Sequence, residues 1–301
     1  MASKIEKKLI FGTSVKLKKE VIESVLKKKL IVHTAKDYDS FKKLALIYKK
    51  KKFKNKLIVK IKSSSVENLK KEFKFYQQSF GNKKIFALQI CGASLLSSNY
   101  RKILDHVTLF KQKGLIKKIY IENYWEYSTN NLKILEQFKI DGVITCYNIL
   151  EREMDDKIFD LIKKKKIEII SLRLFSGFKI SKKERTFINS LYIKYYFSKI
   201  FLNLILILNS SLNYKKLCLL FLKFNKHIHA SIFLSSKLKN IDENIYFIKK
   251  SKLFIKHFYI INLFHKWMYK FNGNNSPSSV IKKFSLFHRI ENFVFKKFLK
   301  I

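Results

Sequence analysis

The feature that most constrains this chain is an alternation: short β-rich runs separated by lysine-rich segments of helical period, repeated from the N-terminus to about residue 180. The runs fall at 8–12, 29–34, 56–61, 84–90, 116–121, 140–145, 167–172 and 230–234. Between them, segments such as 20–28, 66–79, 100–113 and 155–166 place apolar residues at i, i+3 and i+4, the stripe of a helix with one buried face. Near-continuous apolar strands belong to a parallel sheet covered on both sides. Eight βα units in series predict an α/β chain closed into a (β/α)8 TIM barrel. An open doubly wound sheet is the alternative, but the first strand-to-helix turn lacks the G-x-G-x-x-G phosphate loop of that fold. The interval before the eighth run is long enough for extra helix over 186–225. Residues 251–301, with a turn-rich break at 272–279, predict a C-terminal helical extension packed on a barrel spanning 1–250.

Composition narrows the function classes. With 301 residues, 47% of them hydrophobic, and only 7 Gly and 1 Pro, the chain is neither disordered nor collagen-like. Cys91, Cys146 and Cys218 form no C-x-x-C pair, which argues against a disulfide framework or zinc ribbon and for a reducing, cytoplasmic setting. No apolar run is long enough to span a membrane.

The net charge of +42 invites a polyanion reading, yet all but five of the 64 Lys+Arg residues are lysine, and the excess is spread evenly along the chain. A nucleic-acid footprint would cluster, so solvated surface lysine is the expectation and no specific nucleic-acid partner is assigned. His227 and His229 alternate beside the eighth run without a third ligand, so no metal site is expected. Glu151, Glu153, Asp155 and Asp156 read as helix-start capping, and Trp125 and Tyr127 as either core or mouth-lining residues.

In a barrel, chemistry sits just after the strands, and there the sequence carries a series of matches. LIFGTS (9–14), HTAKDY (33–38), VENLKKEF (66–73), KGLIKKIYIENY (113–124) with FKIDGVITCYNILER (138–152), SLRLFSGF (171–178) and ASIFLSSKLKNIDEN (230–244) resemble, in order, the aldo/keto reductase pattern. The likeness covers about residues 8–250. It implies an NAD(P)-dependent oxidoreductase, with NADP or NAD as cofactor, that reduces a small-molecule carbonyl: an aldehyde, ketone or sugar. Tyr38 matches the family's proton-donating tyrosine and Lys60 the lysine that lowers its pKa. Asn123 matches the carboxamide ligand, and Ser235, Ser236 and Lys237 fall in the cofactor-phosphate loop, Ser235 in place of a glycine.

Other positions depart from the family. His33 stands where the lysine's aspartate belongs, and Cys91 where a histidine ends the fourth strand. An imidazole supplies no anion, so the expectation is a Lys60 beside a neutral or repelled neighbour. His33 and Cys91 would face one mouth, either as a thiolate–imidazolium couple or as two inert replacements. Glu122 replaces a serine, Ile144 a glutamine and Leu172 the aromatic that stacks on the nicotinamide. These losses frame the alternative function, a catalytically impaired barrel serving as a ligand-binding or protein-interaction module.

Overall fold

The computed structural model describes residues 8–81, 85–124, 128–149, 152–175 and 213–251. Eight strands alternate with helices: β1 (Leu9–Gly12), α1 (Lys19–Lys27), β2 (Ile31–Ala35), α2 (Phe41–Lys50), β3 (Leu57–Ile61), α3 (Val66–Phe80), β4 (Ile85–Ile90), α4 (Gly92–Leu95), α5 (Tyr100–Gln112) and β5 (Ile116–Asn123). They continue with α6 (Ser128–Gln137), β6 (Gly142–Cys146), α7 (Asp156–Lys165), β7 (Glu168–Leu172), α8 (Tyr214–Phe224), β8 (Ile228–Phe233) and α9 (Leu238–Lys250). Every neighbouring pair is parallel and β1 pairs with β8, so the sheet is the closed barrel that the alternation predicts. The extension at 252–301, most of the 186–225 insertion, Trp125, Tyr127 and Glu151 lie outside the described residues. No described helix is long and apolar enough to cross a membrane.

Strand boundaries shift where the backbone demands it. The second strand begins at Ile31 rather than 29, because Lys29 takes a left-handed conformation (φ 55°) that ends the α1 turn. The eighth begins at Ile228 rather than 230, so His229 lies inside the strand and not in the loop before it. Its Nε2 lies 3.3 Å from Glu168 Oε1, and no metal-binding group of three His, Cys, Asp or Glu occurs among the described residues. Asp155 caps α7 by accepting from Lys157 N at 2.8 Å, and Asp156 occupies the first turn, as the acidic cluster predicts.

Two apolar layers result from the period-2 alternation of the strands. Outward residues such as Val32, Val59, Leu88, Ile121 and Val143 pack against the helices. Ile10, Ile58, Ala87, Tyr120, Ile144, Ile170, Ala230 and Ile232 fill the barrel. The Lys8 ammonium sits at the β1–β8 seam within reach of the carbonyls of Leu222 (3.0 Å), Lys223 (3.2 Å), Asn225 (3.3 Å) and Ile228 (3.2 Å), which share its three N–H donors.

Tyr120 is the largest side chain of the inner layer, and it fits because its neighbour on β6 is a glycine. A Cβ on Gly142 would stand 2.7 Å from Tyr120 Cδ1 and Cε1 and 3.1 Å from the Glu168 carbonyl. The ring has little freedom to yield, since its hydroxyl donates to Glu168 Oε2 at 2.9 Å. Gly142→Ala is expected to destabilise the fold by about 1–3 kcal/mol through overpacking, read as a lower urea midpoint at unchanged slope.

Candidate active site

Polar side chains enter the barrel at the C-terminal ends of three adjacent strands: Lys60 on β3, Gln89 on β4 and Glu122 on β5, each one residue before its strand ends. His33, at the middle of β2, joins them. All but Lys60 are fully buried, and the Lys60 side chain is 14% exposed. Buried polar groups must be partnered, and these partner one another.

Lys60 Nζ donates to Glu122 Oε1 at 2.7 Å. Gln89 Nε2 donates to the same oxygen at 3.4 Å, and Gln89 Oε1 lies 2.5 Å from His33 Nε2. A carboxylate only accepts, so the Gln89 amide turns its NH2 toward Glu122 and its oxygen toward His33, which requires the proton on His33 Nε2. The second carboxylate oxygen, Oε2, accepts from Gly92 N at 3.0 Å, and the Cys91 thiol neighbours Glu122.

Protonation follows from this wiring. Burial pushes the Glu122 carboxyl up, but the Lys60 charge and the hydrogen bonds from Lys60 and Gly92 outweigh it and hold the group below the usual carboxylate range. Burial likewise penalises the Lys60 ammonium, and Glu122 reverses the sign, so its pKa is raised. Burial and then the Lys60 charge bring His33 down to about 4 against the bond to Gln89, so the imidazole is neutral. Burial and then Glu122 raise Cys91. The sequence leaves Lys60 beside a neutral or repelled neighbour; the structure corrects this, because the anion comes from β5. A thiolate–imidazolium couple does not form either: His33 Nε2 faces Gln89, and Cys91 stays a thiol.

Tyr38 sits in the β2–α2 loop with its ring edge-on to His33, centroids 5.8 Å apart. The loop is held by Tyr38 N donating to the Ala35 carbonyl at 3.0 Å and by Phe41 N donating to the Tyr38 carbonyl at 2.9 Å. Tyr76 of α3 bridges this loop to the neighbouring strand: its hydroxyl accepts from Lys36 N at 2.8 Å and donates to the Lys60 carbonyl at 2.7 Å. Asp37 and Lys62 pair beside Tyr38. Burial, then the Glu122 and Asp37 carboxylates, push the Tyr38 phenol up to about 12. Among the described residues its hydroxyl makes no hydrogen bond, to Lys60 or to any other group.

The remaining sequence-assigned residues lie apart from this cluster. Asn123 points to the opposite side of β5 from Glu122 and is fully buried; its Nδ2 donates to the Glu153 carbonyl at 2.9 Å and its Oδ1 accepts from Asn131 at 2.8 Å. Ser235, Ser236 and Lys237 form the β8–α9 loop, with Ser236 and Lys237 exposed. Ser235 Oγ accepts from Lys237 N at 3.2 Å, and no side chain caps the first turn of α9. Ile144 is buried in the barrel filling, with Leu172 packed against it.

Gln89, and Glu122 beyond its standing in place of a serine, are members of this cluster that motif matching does not bring out. A signal for Glu122 exists in the sequence: a lysine near the end of an apolar strand requires an anion, and Glu122 is the acidic residue nearest a strand's C-terminal end, whereas Asp141 and Glu168 stand at strand starts.

The His33 shift carries a pH signature. An unfolded histidine takes up a proton below 6.5, whereas His33 in the fold resists protonation down to about 4. Its contribution to stability is therefore complete above the unfolded value and is lost as pH falls from 6.5 to 4. His33→Asn is expected to flatten the decline over that window by about 3 kcal/mol, measured by urea unfolding at a series of pH values.

No protein-family model matches the chain, and no curated protein does. Solved structures do. The holo form of aldo-keto reductase AKR11C1 from Bacillus halodurans superposes with a TM-score of 0.63 at 14% identity, over 85% of this chain and 91% of that one. The apo form of the same enzyme gives 0.63 at 16% identity over the same shares. Strand order, barrel closure and this superposition agree that the chain has the (β/α)8 fold of the aldo-keto reductases, in a divergent sequence.

Proposed function

We propose that this protein is an aldo-keto-reductase-type oxidoreductase that reduces a small carbonyl compound, an aldehyde, ketone or sugar, with NADP(H) or NAD(H). The observation that carries the reading is the convergence, at the mouth of a closed barrel of this fold, of Tyr38 with a lysine–carboxylate pair. Three free, buried cysteines suit a reducing cytoplasm.

The cofactor fits this site unevenly. At the phosphate end, Ser235, Ser236 and Lys237 lie on an open loop that leads into the uncapped first turn of the 13-residue helix α9, a combination that favours an anion. At the other end, Asn123 is fully buried with its amide already bonded to Glu153 and Asn131, an environment that does not open onto a ligand. When bound, the nicotinamide supplies the hydride.

The chain's own groups manage the proton. Tyr38, with its pKa pushed up to about 12, holds its proton through the physiological range and donates it to the carbonyl oxygen as that oxygen becomes an alkoxide. The same shift leaves the phenolate almost unpopulated at neutral pH, so Tyr38 is poised as a proton donor. Lys60, kept charged by Glu122, stabilises negative charge developing at the mouth. His33 is the neutral platform against which the Tyr38 ring packs.

Quenching of protein fluorescence by NADPH and NADH tests cofactor binding, and consumption of reduced cofactor with a panel of aldehydes, ketones and sugars tests turnover. Tyr38→Phe is expected to lower kcat by about 10²- to 10⁴-fold while cofactor affinity stays within about twofold. Binding without turnover, indifferent to Tyr38→Phe, would instead indicate the ligand-binding module.

A further inference from the structure

We propose that Glu122 is the positioning residue of this site: it takes over, from the fifth strand, the counter-ion role for Lys60 that the aldo/keto reductase pattern places on the second. The inference rests on the carbonyl-reductase reading for its catalytic meaning, while the pairing itself stands on geometry alone.

Four observations support it. The carboxylate meets Lys60 Nζ at 2.7 Å, with the two side chains 14% and 5% exposed, so little water competes for either charge. Its orientation is fixed from two further sides, by Gly92 N at 3.0 Å and Gln89 Nε2 at 3.4 Å. A carboxylate so held places the ammonium rather than following it.

The groups around it leave no rival. Asp37 is committed to Lys62, His33 is a neutral donor to Gln89, and Tyr38 and Cys91 are protonated. Lastly, the departures at His33 and Glu122 compensate one another. One strand has lost an anion and another has gained one, and Gln89 on β4 bonds both residues.

Relocation has a directional consequence. The ammonium is drawn across β4 toward β5 instead of toward β2, the strand that leads into the Tyr38 loop. Lys60 thus serves the mouth from the β4–β5 side, and Tyr38 keeps its proton unassisted.

The test combines site-resolved chemistry with a second-site rescue. Acylation of Lys60 by acetic anhydride at about pH 9, read by peptide mass spectrometry, reports its free-amine fraction and needs no turnover. Glu122→Gln is expected to raise that acylation about tenfold, the effect of one pKa unit, and to lower kcat about tenfold with KM for the carbonyl little changed. Adding His33→Asp to Glu122→Gln, which returns the anion to the second strand, is expected to bring both readouts back toward wild type. A purely structural carboxylate would not permit that rescue.

The idea is overturned if Glu122→Gln, folded by circular dichroism, leaves Lys60 acylation at the wild-type level, or if His33→Asp restores neither readout. Should Glu122→Gln not fold, Glu122→Asp keeps the charge and shortens the reach: Lys60 stays protected while kcat falls, and wild-type kcat in that variant overturns the proposal. If the wild type reduces no carbonyl, the functional reading fails, and the acylation arm still decides the pairing.

Discussion

Ring closure is the constraint on which the rest of this molecule depends. Once β1 pairs with β8, no strand has a free edge, and each inward side chain is surrounded by those of its neighbours at the same height. At mid-height this confinement is met with apolar volume, and Tyr120 is admitted only because Gly142 stands beside it. One level nearer the C-terminal mouth the same confinement forces Lys60, Gln89 and Glu122 together. They lie 62 residues apart in sequence at the extremes, yet their strands are consecutive in the barrel. The cluster follows from parallel strands of similar length whose penultimate residues are polar.

Most of that architecture could be read from the sequence, because it rests on periodicity. All eight strands begin and end within two residues of the predicted runs, since a run of apolar residues marks each of them. Boundaries shift where the decisive property is a backbone dihedral, as at Lys29, or where a polar residue continues a strand, as at His229. The site was half legible. Tyr38 and Lys60 come with family-like surroundings, but Glu122 was counted as a lost cofactor contact, because motif comparison scores each position against its own counterpart. Compensation between positions is invisible to that procedure and becomes visible once charge balance across adjacent strands is considered.

Charge balance also explains how a protein of net charge +42 tolerates a polar interior. Lysines occupy the last turns of α1, α2, α5, α7, α8 and α9, where the negative ends of the helix dipoles favour them and water solvates them. At the barrel, Lys60 pairs with the buried Glu122 toward the strand ends, while the half-buried pairs Lys118–Glu168 and Lys111–Asp141, the latter reaching in from a helix end, lie toward the strand starts. Among the described residues, unpaired lysines therefore lie mainly at the surface.

This separation bears on the chemistry. With Lys60 and Glu122 cancelling, His33 neutral and Cys91 a thiol, the mouth offers Tyr38 no net positive potential of its own. A phenol in such surroundings stays protonated: burial disfavours the phenolate, and Glu122 and Asp37 add repulsion that Lys62 offsets only in part. A site built this way keeps a proton in reserve until a neighbouring oxygen becomes basic enough to take it. On the proposed carbonyl-reductase reading, that oxygen is the alkoxide formed by hydride addition, a stronger base than the phenolate.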